Sequence, residues 1–224
     1  MSEPTAAERA EILERRLHDH GHLDPEEVDA AIALAESGSG DSASTALGAR
    51  VVARAWVDPD FRRRLLGDPM EALSEYMLHG VPIGVLEDTA SVHHVIVCTL
   101  CSCYPSGLLG NPPAWYKSFE YRSRVVREPR AVLAEFGTEI PDGVELRVHD
   151  STAEQRYLVL PLRPDGTDDL TEEQLAALVT RNSMIGTAFP LARGGQPMSS
   201  EDAISMRGSN SIGAVPSDRG PRSQ

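Results

Sequence analysis

The chain has 224 residues, of which 41% are hydrophobic but only 5% aromatic, and its formal net charge is −13. That length supports one substantial domain with extensions, built on a mostly aliphatic core. The acidic balance argues against a general affinity for nucleic-acid backbones or anionic membrane surfaces, because the long-range field repels both.

The N-terminus, MSEPTAAERAEILERR, is charged and shows no apolar stretch of the kind a secretory signal needs. No apolar run in the sequence approaches the ~18 residues required to cross a bilayer. Residues 5–19 are predicted as a helix with Leu13 and Leu17 on one face, and a second helix begins at DPEEVDAAIALAES. There Asp24 can cap, Pro25 suits the first turn and Glu27 stands three residues past the cap. GSGDSAST, residues 38–45, is expected to be a flexible breaker. Residues 1–46 therefore form an expected helical arm and linker, too sparsely apolar for a core of its own and suited to packing on something else.

From Leu47 the pattern changes. ARVVARAWVDPDFRRRLLGDP reads as helical with a break at Asp58-Pro59-Asp60, and PMEALSEYML as a short helix after it. VHHVIV (92–97) is β-branched and predicts a buried strand. NPPAWYKSFEYRSRVV and EPRAVLAEFG read as helices with proline starts, the second stopped by Gly137, while 144–150 and 155–164 read as strands. TEEQLAALVTRNSMIG predicts one helix, with Thr171 and Gln174 spaced as a capping box. No βαβ rhythm recurs, so the expected class is α+β or another layered architecture, with 47–187 as its main domain. The Gly/Ser/Pro/Arg-rich stretch 188–224 is expected to be disordered in isolation.

The three cysteines, Cys98, Cys101 and Cys103, all fall within VCTLCSCYP, residues 97–105. With no distant partner they cannot build a disulfide framework, which fits a reducing, cytoplasmic location, where clustered thiols point to metal or redox chemistry. Structural zinc draws four ligands from two separated knuckles; only one exists here, and His94 as a fourth ligand would be cramped. An iron–sulfur cluster needs a fourth thiolate from outside. A redox pair would use Cys98 and Cys101 and leave Cys103 unexplained. Three buried apolar cysteines are a poor account of such tight spacing. A metal held within one turn fits better. Thiolates of Cys101 and Cys103 and the backbone nitrogens between them can share a plane, with Cys98 axial, leaving one octahedral position open. Deprotonating amides requires an acidic ion such as Co(III) or Fe(III).

VCTLCSCYP, followed by NPPAWYKSFEYRSRVVREPRAVLAEFG, VELRVHDSTAEQRYLVLPLRPDGT and TEEQLAALVTRNSMIG, closely resembles the α subunit of nitrile hydratases, from about Gly48 to Gly186. The helical arm is also typical of that family, and the resemblance implies a layered α-β-β-α metal-binding catalytic domain over 47–187. The resemblance implies hydration of a nitrile to its amide, with Cys98, Cys101, Cys103 and the main-chain amides of Ser102 and Cys103 as metal ligands. The family oxidises the cysteines matching Cys101 and Cys103 to sulfinate and sulfenate, and Cys101, Ser102 and Cys103 would carry the catalysis. The nucleophile is then either a water activated at the metal or the oxygen of oxidised Cys103. Thr99 matches the cobalt branch, where iron relatives carry serine, so a low-spin Co(III) ion is implied over iron. Glu154 and Arg156 match residues that support the metal site. The resemblance also implies a β subunit in a heterodimer or heterotetramer, whose arginines grip the oxidised sulfurs, and a cobalt-inserting activator chaperone.

One departure concerns the pocket. The family usually continues C-Y-P-W-P, whereas this chain has Ser106 and Gly107, so a wider pocket for bulkier, even heteroaromatic, nitriles is expected. His94 stands where asparagine is common. His93, His94 and His149 read as packing or solvent-facing residues, Trp115 and Tyr116 as helix packing, and Arg122, Arg124 and Arg127 as a solvated or subunit-facing stripe. Asp150 reads as capping a turn, with a role near the metal as the alternative. Two rival functions share the pattern: a thiocyanate hydrolase subunit with the same cobalt claw, and a nitrile-hydratase-like leader protein for modified peptides, although such leaders generally lack the full cysteine set.

Overall fold

The computed structural model describes residues 39–76, 78, 81–101, 103–198, 202 and 205, with 39–45 described as backbone only. The two helices expected before residue 37, Ser102 and nearly all of the tail past 198 lie outside the described residues. The chain divides into units Met1–Ala43 and Ser44–Gln224, and apart from the start of the first helix everything below lies in the second.

Helix α1 (Ser39–Val57) starts inside the Gly/Ser stretch expected to be a breaker. Extending an existing helix costs far less than nucleating one, so the strongly apolar turns at 49–55, buried in the core, can carry a poor leading segment. The break at Asp58-Pro59 falls where expected. Asp58 accepts hydrogen bonds from the amides of Asp60 and Phe61 and caps α2 (Pro59–Gly67), and Asp68 caps α3 (Pro69–Ser74) in the same way. Strand β1 (Ile83–Glu87), which the sequence pattern did not disclose, leads into β2 (Val92–Val97).

The next helices are short. The expected helix over 111–126 divides into α5 (Ala114–Lys117) and α6 (Phe119–Arg124), following α4 (Ser106–Leu109). The dividing residue is Ser118, extended at φ −63°, ψ 142°, whose hydroxyl caps α6 through the amide of Tyr121. α7 (Pro129–Glu135) precedes β3 (Glu145–Asp150) and β4 (Arg156–Leu160). The capping box at Thr171 and Gln174 is present, but the helix it starts, α8 (Glu172–Ala176), is brief. A second box at Thr180 and Ser183 starts α9 (Arg181–Ile185).

Strands pair in parallel as two separate ladders, β1 with β4 and β2 with β3. Helices layer around them to give the α+β architecture, and the core is aliphatic, with Val51, Val52, Leu65, Leu73, Val95, Leu133 and Leu158 fully buried. α9 packs on β4. It ends at Gly186 in a left-handed conformation (φ +88°), where any β-carbon would collide with the backbone of His94, so the helix end sits directly on β2. Past the helix the chain stays tied in, since the Leu191 amide donates to the Leu178 carbonyl at 2.8 Å and Arg193 pairs with Asp169 at 2.6 Å.

Candidate metal centre

β2 runs through the core and delivers Cys98 at its buried end. Its ladder partner sets the turn that follows. The register places Asp150 opposite Val97, and the Asp150 carboxylate accepts from the Thr99 amide at 2.9 Å and from the Thr99 hydroxyl. Arg122 donates to the Thr99 carbonyl at 2.8 Å. One loop residue is thus held from both sides, and the chain must double back. The Cys101 amide then donates to the Cys98 sulfur at 3.3 Å, and the Tyr116 hydroxyl to the Cys103 carbonyl at 3.0 Å.

The consequence is a cluster of sulfur. Cys98 and Cys101 sulfurs lie 3.5 Å apart, those of Cys101 and Cys103 3.1 Å, and all three fall within 4.8 Å of one another. None is in a disulfide; Cys98 and Cys103 are buried and Cys101 is exposed. The Cys101 thiol, burial and the Cys98 thiol together push the Cys103 thiol up to about 12. Three sulfurs this close resist ionising together unless a cation compensates them, and thiolates are the form that binds metal. The donor set therefore fits a small polyvalent ion approached from the exposed Cys101 side.

Immediately beyond Cys103 the wall of a cavity begins. It measures about 140 Å³ and is lined by Tyr104, Ser106 and Gly107 from the chain leaving the claw, by Leu73 and Ile83, and by Arg156. Three sequence-predicted residues, Ser106, Gly107 and Arg156, are thus brought together around one space.

The family "Nitrile hydratase, alpha chain" matches residues 4–188. The low-molecular-weight cobalt-containing nitrile hydratase subunit alpha of Rhodococcus rhodochrous is 50% identical over 187 residues, 82% of this chain and 88% of that one. This chain belongs to the nitrile hydratase α-chain family. A double histidine mutant of the Fe-type nitrile hydratase from Comamonas testosteroni Ni1 superposes with a TM-score of 0.72 at 35% identity, covering 87% of this chain and 96% of that one. The gamma subunit of thiocyanate hydrolase from Thiobacillus thioparus is 47% identical over 156 residues, 63% of this chain and 64% of that one.

Behind the nitrile-hydratase-type claw sits a group that sequence reasoning missed. Asp88 is buried and bonded to both neighbouring histidines, to His93 Nδ1 at 2.8 Å and His94 Nδ1 at 3.1 Å, and it accepts from the His94 amide at 2.7 Å. The other His93 nitrogen meets the Gly186 carbonyl at 2.9 Å. Both ring nitrogens of His93 face acceptors, an arrangement that suits a ring with a hydrogen on each nitrogen. Burial alone would raise the Asp88 carboxyl, but the His93 charge and the hydrogen bonds from His93 and His94 outweigh it and hold the group at about 2. Both histidines are buried and hydrogen-bonded to the same carboxylate. The available signal was Asp88 in EDTASV, one short turn before the strand.

Other expectations resolve individually. Tyr116 is packed among Tyr104, Trp115 and Tyr121 and also tethers the claw through Cys103. Arg124 pairs with Glu128 and Glu135 on the surface, whereas Arg122 departs from that stripe to reach Thr99. His149 is half-buried between the rings of His94 and Tyr157, and burial first, then the charges of His94 and Arg147, lowers its pKa. Glu154 is exposed in the turn before β4, its amide 3.3 Å from the Thr152 hydroxyl, with no ion pair among the described residues. Among those residues no helix is long and apolar enough to cross a membrane.

Proposed function

We propose that this chain is the catalytic α subunit of a cobalt-type nitrile hydratase, converting a nitrile and water to the amide in complex with a β subunit. The observation that carries the reading is the convergence of the Cys98, Cys101 and Cys103 sulfurs at one turn, with Cys101 open to the outside. Cys98, Cys101 and Cys103, with the main-chain amides of Ser102 and Cys103, would hold low-spin Co(III). When bound, the ion supplies Lewis acidity toward the nitrile and toward water.

The chain's own residues do the rest. Asp150 and Arg122 fix the Thr99 turn so that the sulfurs meet without reorganising, which keeps the donor set preorganised. Oxygenation of Cys101 to sulfinate and Cys103 to sulfenate, with dioxygen as the oxidant during maturation, would leave sulfur a weaker donor and add acceptor oxygens to the site. Ser106, Gly107 and Arg156 shape the space that takes the rest of the substrate, and in this reading Glu154 and Arg156 support the metal site. The reaction balances without redox: the water oxygen bonds to the nitrile carbon, and both water hydrogens end on nitrogen.

Residues 47–187 form the catalytic domain in this reading, 1–46 the arm that embraces the β subunit, and 188–224 an accessory tail. The β subunit covers the exposed Cys101 face in a heterodimer or heterotetramer, an activator chaperone loads the cobalt, and the cytoplasm supplies the reducing setting in which unpaired thiols persist. A second reading, a thiocyanate hydrolase subunit, is supported by the 47% identity to the gamma subunit of that enzyme. Co-expression with the β subunit and cobalt tests both. The expected complex contains cobalt, shows added oxygen on Cys101 and Cys103 by peptide mass, and forms amide from nitriles. Carbonyl sulfide from thiocyanate, without amide, would favour the second reading. Zinc, or unmodified thiols throughout, would overturn both.

A further inference from the structure

The cavity beside the claw has a definite size and one adjustable wall. Its volume is about 140 Å³, and its floor is aliphatic, made by Met70, Leu73, Leu78, Val81 and Ile83. An apolar cavity of about 150 Å³ holds one benzene ring. The polar residues, Ser106 and Arg156, lie with Tyr104 on the part of the lining that continues from the claw or from the edge of β4.

Leu78 and Gly107 meet across this space. A β-carbon on Gly107 would lie 3.0 Å from Leu78 Cδ2, so any side chain there pushes Leu78 aside. Gly107 sits in α4 at an ordinary helical position, not at positive φ, so its lack of a side chain is not required by the backbone. What the glycine permits is the close approach of Leu78. Leu78 is only half-buried, and the atom in contact is the end of a flexible side chain.

We infer that Leu78, seated against Gly107, is the specificity-determining residue of this site and limits substrates to nitriles bearing a single aromatic or heteroaromatic ring. This rests on the nitrile-hydrating reading above. Replacing Leu78 by alanine removes the wall and admits fused bicyclic nitriles. Replacing Gly107 by alanine drives Leu78 inward and narrows the space.

The test uses the cobalt-loaded two-subunit complex, with kcat/KM measured for acetonitrile, pyridine-3-carbonitrile and quinoline-3-carbonitrile. A methylene-sized change in an apolar pocket alters discrimination by roughly 10- to 200-fold. Leu78→Ala is expected to raise the bicyclic-to-monocyclic ratio by about tenfold or more, and Gly107→Ala to lower the monocyclic-to-acetonitrile ratio. Leu78→Met, which conserves volume, should leave both ratios near those of the unaltered complex. Ratios are taken within each variant, so a partial loss of folded enzyme does not move them. Amide formation with ratios unchanged in Leu78→Ala and Gly107→Ala overturns this inference alone. No amide from any of the three nitriles with the unaltered complex overturns the proposed function and this inference with it.

Discussion

The two parallel ladders are built alike and buried differently. β2 is buried along all but its first residue and its partner β3 has no buried residue, whereas no residue of β1 is fully buried and its partner β4 is buried only over its last three, Leu158 to Leu160. Strand β2 leads to Cys98 and carries His93 and His94, which bond Asp88 at the end of β1, where the Asp88 amide donates to the Leu160 carbonyl of β4; the β1–β4 ladder also contributes Ile83 and Arg156 to the cavity. A metal site with several ligands from one turn tolerates little motion in the strand that delivers them. A pocket for a variable substrate group needs less. Division of labour between a rigid ladder and a compliant one follows, and it can be broken at either side.

The largest effect should come from the claw at the end of the rigid ladder. Cys98→Ser removes the buried thiolate ligand while keeping a similar volume, so cobalt content of the purified complex should fall to near background and amide formation with it. Elemental analysis of the complex reads this directly, and a variant that still carried cobalt at the unaltered level would remove Cys98 from the ligand set.

Next comes the ionic group behind the claw. Asp88→Asn leaves the His93 cation buried without its carboxylate, and breaking a buried pair from one side typically costs about 3–5 kcal/mol. Denaturant unfolding of the complex should show that loss. A change below about 1 kcal/mol would mean that the pair is not ionic.

The same pair predicts an acid limit. The Asp88 carboxyl is held at about 2 in the folded chain against an ordinary 3.8, so folding favours its ionised form. Its contribution is present in full above the ordinary value and is lost as pH falls from about 3.8 toward 2. The expected size is on the order of 2 kcal/mol. Thermal midpoints of the complex between pH 5 and pH 2, compared with those of Asp88→Asn, should converge as the acid is protonated. Parallel curves would sink the assignment.

The contrast between ladders also explains what could be read in advance. The claw, Thr99 and the strand 92–97 are legible because each rests on local chemistry: three thiols in six positions, a β-branched run, a fixed spacing. The pocket residues Ser106, Gly107 and Arg156 were named through resemblance, but only folding brings positions fifty residues apart to one cavity. β1 is hidden because GVPIGVLED mixes glycine and proline with only four apolar positions, and parallel pairing with β4 leaves no local mark. The helix predicted over 171–186 carries its own break, since Thr180 and Ser183 form a second capping box; periodicity outweighed that signal. Asp88 was passed over because a lone acid in a turn is ordinarily a solvated residue.

The smallest stability effect, and the sharpest contrast, belongs to the compliant ladder. Arg156 opens β4 opposite Ile83, is half-buried, and has a buried Nε with no hydrogen-bond partner among the described residues. A buried donor without a partner costs folding free energy rather than supplying it, so Arg156→Met, which keeps the aliphatic stem and removes the charge, should destabilise by no more than about 1 kcal/mol. Turnover should respond more strongly, because the guanidinium is the one cationic group on the cavity wall among the described residues. A fall in kcat/KM of about tenfold or more with cobalt content unchanged is the expected outcome. Large destabilisation with normal turnover of the surviving enzyme would instead make Arg156 a strut of the fold, and the two ladders would then share one role.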